Sequence, residues 1–303
     1  MTFFDRLWPF RARLGRRGFR IESGWLGEDG DQFQLRFWGV RGSIPSPGPQ
    51  TAAFGGNTAC VEINAGGHTL IIDAGSGIRA LGEKLCGLGS RSVDLLFSHC
   101  HFDHIEGLPF FAPLYMPGRK LTMWSGHIRA PDATRAMVAS LIRAPYFPVD
   151  PSAFQANVTY HDFTAGDTLT LASEIVIETI LLNHPGGATG FRIRFGEKSV
   201  CYISDVEHRP GTLDSALADF VRGANVMIYD AMYTDEEYPR YAGFGHSTWQ
   251  EGVKLADAAD IHTLALYHHF PGRSDTELSR IEALATARRP VTFLAREGME
   301  IRL

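Results

Sequence analysis

Three histidines and an aspartate crowd into one short stretch of the chain, at His99, His101, Asp103 and His104. In an extended backbone, residues two apart point to the same side, so His99 and His101 are placed to grip one cation. Asp103 and His104 are then placed to turn toward a second cation. Imidazole and carboxylate groups without thiolate suit zinc, manganese or iron and leave the metal Lewis acidic. With 12 histidines in 303 residues, chance produces this spacing with odds on the order of one in a thousand.

Further residues of ligand type stand where three later apolar segments end. They are His184 after the segment 175–182, Asp205 after 200–204 and His268 after 264–267. Functional groups gather beyond the carboxyl ends of strands in α/β proteins, so these side chains are expected to converge on the first cluster. The carboxylate of Asp205 is suited to bridging two cations. His269 adjoins His268, and both are candidates for the last ligand position.

The hydrophobic patterning predicts the elements that must position these residues. Strands are expected over 33–40, 60–64, 68–73, 93–97, 158–163, 168–171, 175–182, 190–195, 199–203, 226–229, 264–267 and 291–294. Helices are expected over 78–88, 131–143, 213–222, 248–259 and 276–288. Hairpin-rich segments interspersed with amphipathic helices favour an α/β (α+β) protein with two mixed sheets face to face and helices outside.

Composition limits the classes of function. A net charge of −5 gives no global electrostatic reason to bind long nucleic acids. The four cysteines are scattered and form no CxxC pair, so neither a disulfide framework nor a cysteine-rich zinc knuckle is indicated, which suits a reducing compartment. Neither an apolar run near the ~20 residues of a membrane span nor a secretory leader is seen, so a cytoplasmic protein is expected. A homodimer is compatible with the sequence.

The first 32 residues differ from the rest because arginines alternate there with aromatic and aliphatic side chains. Residues 1–32 are therefore predicted to be a basic extension. It is either partly disordered or docked on a membrane surface or a partner. Residues 33–303 are predicted to form one domain.

The run His99-Cys100-His101-Phe102-Asp103-His104 resembles the H-x-H-x-D-H signature of metallo-β-lactamase-fold hydrolases. The later His, Asp and His follow in the order of that superfamily, and the resemblance extends from about Phe33 to the C-terminus. It implies a four-layer αββα sandwich and two divalent metal ions, expected to be zinc, with manganese or iron as alternatives. The implied ligands are His99, His101 and His184 for one metal, Asp103, His104 and His268 for the other, and Asp205 as a bridge.

Within the superfamily the chain is similar to the phosphodiesterase branch, which includes ribonuclease Z and phosphoribosyl cyclic phosphodiesterases. Gly245-His246-Ser247-Thr248 resembles the G-H-S-T of ribonuclease Z, whose histidine protonates the leaving oxygen. Asp230 stands where those enzymes carry an acidic residue, usually Glu, that orients the histidine. The resemblance implies a phosphodiesterase in which a metal-bridging hydroxide attacks, Asp103 orients it, and His246 donates a proton to the departing alkoxide.

The substrate is expected to be small. Ribonuclease Z carries a protruding basic arm between its counterparts of His184 and Asp205, whereas only 20 residues separate the two here. That length suffices for two strands and a turn, so no such arm is expected. A small cyclic or nucleotide-type phosphodiester, or a short oligonucleotide end, is favoured over long nucleic acid. Residues 131–153, rich in Pro, Tyr and Phe, are expected either to form a lid or to pack as a surface helix.

Two other functions compete with this interpretation. Hydrolysis of a thioester, lactone or β-lactam uses the same metal site, but it has less need of a proton donor such as His246. A non-enzymatic sensor or scaffold is a third alternative, although degenerate relatives normally lose ligands and all seven positions are filled here.

Other residues near the motif receive simpler assignments. Arg41 and Asn57 lie in Gly-rich loops and are expected either to touch a phosphate or to serve as turn and capping residues. Cys100 is expected to point away from the metals by strand alternation. His208 is expected near the rim of the pocket. The remaining histidines are predicted to be surface or packing residues, namely His68, His127, His161 and His262.

Overall fold

The computed structural model describes residues 32–88, 92–171 and 174–303. The basic extension expected over residues 1–32 lies, apart from Gln32, outside the described residues, and that expectation stays a prediction. The described residues form two seven-stranded sheets. Among the residues that the structure describes, none of the helices has the length and apolar character that crossing a bilayer demands.

The first sheet joins an antiparallel half to a parallel half. Its strands are β1 (Phe33–Gly39), β2 (Cys60–Ala65), β3 (His68–Ile72), β4 (Ser92–Phe97), β5 (Lys120–Ser125), β6 (Asn157–Asp162) and β14 (Glu300–Arg302). They lie in the order β14-β1-β2-β3-β4-β5-β6. Pairing is antiparallel from β14 to β3 and parallel from β3 to β6. The carboxyl ends of β3, β4 and β5 therefore meet at one edge.

The second sheet repeats this plan. Its strands are β7 (Thr168–Leu171), β8 (Ile175–Leu182), β9 (Ala188–Phe195), β10 (Lys198–Ile203), β11 (Val226–Asp230), β12 (Thr263–Tyr267) and β13 (Thr292–Leu294). The order is β13-β12-β11-β10-β9-β8-β7, antiparallel from β7 to β10 and parallel from β10 to β13. Both sheets are thus mixed, as the sequence predicts.

Helices cover the outer face of each sheet. They are α1 (Ile78–Cys86), α3 (Ala133–Leu141), α4 (Ser215–Val221), α5 (Trp249–Ala258) and α6 (Asp275–Arg288), whereas α2 (Phe102–Ile105) is a single turn just beyond β4. The longer ones begin at polar caps: the Thr248 side chain accepts from the Glu251 N–H at 3.1 Å, and Ser274 and Glu277 form a reciprocal capping box. The result is the four-layer αββα sandwich expected from the sequence.

Strand β10 shows why the sheets pack on both faces. Val200 and Tyr202 enter the apolar core between the two sheets, whereas Cys201 and Ile203 enter the core beneath α4, α5 and α6. All four side chains are fully buried. A parallel strand covered on both sides needs apolar residues at every position, and this is why β10 reads as a continuous apolar run.

Two strands were not predicted from the sequence. Strand β5 alternates buried Leu121, Met123 and Ser125 with half-buried Thr122 and Trp124, but a polar Ser125 on the buried face and an apolar Trp124 on the other hide this alternation in the sequence. Strand β14 has three residues and exists only through its pairing with β1. Such elements depend on distant partners rather than on local sequence.

We expect the Leu264→Ala variant to lower the free energy of unfolding by about 2 to 5 kcal/mol, because Leu264 lies fully buried beneath the second helical layer. Leu284→Ala is the matched control, since Leu284 on α6 is 49% exposed. Its effect should stay within about 0.5 kcal/mol. Urea unfolding followed by circular dichroism measures both. Equal losses for the two variants would contradict the assigned core.

Candidate metal centre

The histidine-rich motif lies where β4 ends and α2 begins. His101 is the N-cap of α2 with extended backbone angles (φ −63°, ψ 152°), and the helix carries Asp103 and His104. The chain is therefore extended through His99 and His101 and then turns. This local change of conformation separates the two pairs of side chains and aims them at different points.

The structure brings six of the seven expected ligand residues into two adjacent groups, with Asp205 between them. In each group the ligand atoms lie within 4.8 Å of one another. The groups are His99, His101 and His184, and Asp103, His104 and His268. Two further groups overlap these and contain Asp205, one with His99 and His104 and the other with Asp230, His246 and His268, so Asp205 lies between the first two groups.

The two carboxylate oxygens of Asp205 face opposite groups. Oδ1 lies 3.8 Å from Nε2 of both His99 and His184. Oδ2 lies 3.1 Å from His104 Nε2 and 3.5 Å from His268 Nε2. A carboxylate so placed is able to give one oxygen to each of two cations.

Three residues at strand ends adopt the left-handed backbone conformation. Asp73 follows β3 with φ 62°, Asp205 follows β10 with φ 61°, and His268 follows β12 with φ 59°. Residues other than glycine are uncommon in this region, at a cost of order 1 to 3 kcal/mol each. The surrounding sheets hold this conformation, which turns each side chain back into the site.

The donors fit divalent cations in number and chemistry. The buried Nε2 of His99 has no hydrogen-bond partner, and two nitrogen pairs face each other closely, His101 Nδ1 with His184 Nε2 at 2.9 Å and His104 Nε2 with His268 Nε2 at 3.2 Å. Unpaired buried polar atoms are costly, and a shared cation removes the cost for all of them. The arrangement suits a dinuclear centre.

The electrostatics agree with this fit. Burial, reinforced by neighbouring imidazoles, lowers the pKa of His99, which keeps it in the neutral form that binds metals. Burial alone would raise the pKa of Asp205, but His104, His268 and His99 outweigh it, so that the pKa falls well below its usual range. The site thus presents a neutral imidazole beside an ionised carboxylate.

Asp73 supports the centre and was not predicted as a functional residue. Its carboxylate is fully buried and accepts hydrogen bonds from the Ser98 N–H at 2.7 Å and from Ser98 Oγ and Tyr202 Oη at 2.8 Å each. It also pairs with His104 Nδ1 at 2.8 Å, which leaves Nε2 to face the cluster. Its signal in the sequence was the same as that of Asp205, an acidic residue directly after an apolar strand.

His246 and Asp230 form a dyad beside the cluster. His246 Nδ1 lies 2.8 Å from Asp230 Oδ2. Asp230 is fully buried and accepts backbone N–H groups of Asp205 at 3.0 Å, Met232 at 3.1 Å and Ser247 at 3.3 Å, so the shorter aspartate still reaches the histidine. Burial opposes the charged form of His246, but Asp230 outweighs it and raises the pKa of His246 to about 9.

Gly245 allows His246 and His184 to approach. The carbonyl of Gly245 lies 2.8 Å from His184 Nδ1, which turns His184 Nε2 toward the first group. A Cβ at Gly245 would lie 2.3 Å from that same nitrogen, and the backbone there has φ 88°. Only glycine fits this position.

The contacts of His269 and Cys100 separate both residues from the ligand groups. His269 points away from the cluster, because its Nε2 lies 2.8 Å from the Ala295 carbonyl, whereas His268 belongs to two of the ligand groups. Cys100 packs toward the core under α1 and α3 and belongs to none of the ligand groups found among the described residues.

Of the two roles expected for Arg41 and Asn57, their contacts match the turn and capping role. Arg41 is fully buried and donates to the carbonyls of Gly55 at 2.8 Å and Arg273 at 2.7 Å. The Asn57 amide donates to Glu297 Oε2 at 2.9 Å. Both side chains stabilise the first loops, which is the turn and capping role.

Helix α3 of the segment 131–153 and most of the other histidines pack against neighbouring residues outside the ligand groups. Helix α3 buries Met137 and Val138 on the outer face of the first sheet, so this helix is not a lid. His68 pairs with Asp94 at 2.8 Å, and His161 stacks on Trp124 with ring centroids 4.3 Å apart. His262 lies at the surface. His127 lies near the site, where its ring centroid is 6.5 Å from that of His99. His208 Nδ1 lies 2.9 Å from Ser247 Oγ, next to His246.

Comparison with known proteins identifies the family. The model of the beta-lactamase superfamily domain matches residues 68–269, and the chain belongs to this superfamily. The resemblance seen in the sequence is thereby confirmed. The same range holds all seven cluster residues, the dyad and Asp73, and the family and cluster together indicate a dinuclear divalent metal site.

The relatives are similar over nearly the whole chain. Ribonuclease Z of Gemmatimonas aurantiaca is 23% identical and is matched over 89% of this chain and 95% of its own length. Ribonuclease Z of a Bradyrhizobium species is 27% identical, over 87% of this chain and 97% of its own. The metallo-beta-lactamase fold protein YhfI of Bacillus subtilis shares the fold, with a TM-score of 0.68, 20% identity and coverage of 90% of this chain and 100% of YhfI.

We expect Asp73→Ala to weaken Zn²⁺ binding about 10- to 100-fold, because His104 loses the carboxylate that orients it. Asp94→Ala is the matched control. Asp94 is also a buried carboxylate with two side-chain partners, His68 and Trp124, but it does not touch the cluster. Competition with a chromophoric chelator measures affinity, and circular dichroism checks folding. Equal affinity of a folded Asp73→Ala protein and the wild type would contradict the assigned role.

Proposed function

We propose that this chain is a dinuclear metal-dependent phosphodiesterase that acts on a small cyclic or nucleotide-type phosphodiester, with His246 as the proton donor to the leaving oxygen. The observation that carries the proposal is the His246–Asp230 dyad, which lies beside the paired ligand groups. The superfamily, the ribonuclease Z relatives and the cluster agree on a metal-dependent hydrolase of phosphodiesters.

The proposed metals are two zinc ions, since imidazole and carboxylate donors suit zinc, with manganese or iron as alternatives. One would be held by His99, His101 and His184, the other by Asp103, His104 and His268, with Asp205 between them. When bound, such ions lower the pKa of water and neutralise charge on the phosphate. His101 is the exposed member of the set, so the centre opens to solvent on its side.

The chain's own residues supply the remaining chemistry. Asp103 is ionised, because His104 and His268 outweigh burial and lower its pKa, and Asp103 Oδ2 accepts a hydrogen bond from the Ser43 N–H at 2.7 Å. We propose that it orients the attacking water. Asp230 fixes the ring of His246 through Nδ1, which leaves Nε2 to protonate the departing oxygen. A poor leaving group needs that proton most.

Two features favour a small substrate. The segment between His184 and Asp205 is a hairpin of β9 and β10 joined at Gly196 and Glu197, so it forms no protruding arm. The net charge of −5 supplies no general attraction for a long polyanion. Both features separate this chain from an enzyme that captures transfer RNA through a basic arm.

The competing hydrolysis of a thioester, lactone or β-lactam is not favoured. Leaving groups of those substrates depart without a strong acid, whereas here a buried carboxylate raises the pKa of His246 to about 9 and holds its proton. The ribonuclease Z relatives point the same way.

We further propose that the hydrolase domain begins near Phe33, because β1 starts there and pairs with both β2 and β14. Residues 1–32 would then be an extension outside it. The homodimer and the cytoplasmic location expected from the sequence stay predictions.

The His246→Ala variant should lose about 10²- to 10⁴-fold in kcat on an alkyl or nucleoside phosphodiester, since these leaving groups need a proton. Its loss on bis(p-nitrophenyl) phosphate should be far smaller, because p-nitrophenolate departs unaided. Steady-state assays of the zinc-loaded proteins measure both, with His161→Ala as a control remote from the site. Full activity of His246→Ala on the alkyl diester would rule out the proton-donor role.

The pH profile should report His246 directly. The acid form is the reactive one, and it prevails below a pKa of about 9, a value that bound cations lower. In the wild type, kcat on an alkyl diester should therefore fall about tenfold per pH unit above the pKa of His246. His246→Ala should lack this descending limb. An unchanged limb in the variant would assign it to another group.

A further inference from the structure

We infer that four aromatic residues beside His246 form the subsite for a planar ring on the leaving side of the substrate, so that the enzyme prefers to expel a nucleoside. This inference rests on the proposed phosphodiesterase function. The four residues, called here the aromatic wall, are Tyr233, Tyr241, Phe244 and Phe270.

The aromatic wall begins at the proton donor and extends outward. The Tyr233 and His246 rings are 6.1 Å apart, edge to face. Tyr233 and Tyr241 stack with centroids 4.5 Å apart and planes 3° from parallel. Phe270 lies 6.1 Å from each tyrosine, and Phe244 lies 5.9 Å from Tyr241. The departing oxygen must come within hydrogen-bonding reach of His246, so the group attached to it is placed next to these rings.

Phe244 is the outermost ring and is 62% exposed. Exposed phenylalanines lose the hydrophobic benefit of burial, yet the backbone on both sides of this one is held in place. Glu207 accepts hydrogen bonds from the Gly243 N–H at 2.6 Å, the Gly245 N–H at 2.9 Å and Tyr238 Oη at 2.9 Å. An exposed ring on a fixed backbone is suited to stacking on a planar ligand, because less entropy is lost on binding than with a ring on a mobile loop.

The charges around the aromatic wall define the ligand further. Asp235, Glu236 and Glu237 precede Tyr241 in one loop, and Glu207 binds the backbone on both sides of Phe244, whereas the neighbouring cations are Arg240 and Arg273. Arg273 is already paired with Glu237 at 2.7 Å. This excess of negative charge disfavours further phosphates on the leaving side. A neutral nucleoside can stack on the flat rings without repulsion from the acidic side chains. A longer nucleic acid chain would bring further phosphates next to those acidic side chains.

The test uses two substrates that differ only in the base, the methyl phosphodiester of the adenosine 5′-oxygen and that of ribose 5′-oxygen. Water adds to phosphorus, the bond from phosphorus to O5′ breaks, and O5′ takes a proton from His246. The products are adenosine, or ribose, and methyl phosphate. Cleavage on the other side would instead give the 5′-monophosphate and methanol.

For the zinc-loaded wild type we expect adenosine and methyl phosphate as products, with kcat/KM at least about tenfold above that for the ribose diester, as stacking on an aromatic side chain provides. Phe244→Ala and Tyr241→Ala should bring the ratio close to one. Phe110→Ala should keep it, since Phe110 is also half exposed but pairs with Phe147 elsewhere.

A second readout needs no turnover. Saturation-transfer difference NMR on the metal-free protein should show transfer to the adenine protons of adenosine in the wild type and in Phe110→Ala, and its loss in Phe244→Ala. Hydrolysis of both diesters at equal kcat/KM, or formation of the 5′-monophosphate and methanol, would contradict the role of the aromatic wall as the leaving-group subsite. Either result would still agree with the proposed phosphodiesterase function. If neither diester nor bis(p-nitrophenyl) phosphate is hydrolysed, the proposed function fails, and the inference fails with it.

Discussion

The architecture depends on one buried carboxylate shared between two groups of imidazoles. Asp205 is nearly inaccessible to solvent, and its two oxygens face different histidine groups. Burying a charge is costly unless it is paired. Two cations would satisfy both oxygens and the surrounding ring nitrogens at once. The rest of the molecule can be understood as the frame that keeps this carboxylate in place.

The sheets position the site residues at the ends of their strands. The two mixed sheets place the carboxyl ends of β3, β4, β10 and β12 at one edge, and the backbone after three of them enters the left-handed region at Asp73, Asp205 and His268. Each such residue costs free energy, which the apolar cores on both faces of the sheets offset. The dyad is built into the same edge, since Asp230 closes β11 and binds the backbone of Asp205.

Much of this was predictable from local sequence. Apolar runs that end in His or Asp marked the ends of β8, β10 and β12, and the spacing of His99, His101, Asp103 and His104 marked the loop between β4 and α2. What local sequence could not supply was pairing at a distance. Strands β5 and β14, the four contacts of the Asp73 carboxylate and the burial of Arg41 against carbonyls all involve partners remote in the chain. The aromatic wall was not predictable from local sequence for the same reason, because its members are dispersed between residues 233 and 270.

The most direct test of the shared carboxylate is anomalous X-ray diffraction from crystals of the zinc-loaded protein, recorded on both sides of the zinc absorption edge. Two peaks per chain, roughly 3.5 to 4 Å apart, are expected, one next to each oxygen of Asp205. A single peak on one side of that carboxylate, or peaks bound only elsewhere on the protein, would contradict the account.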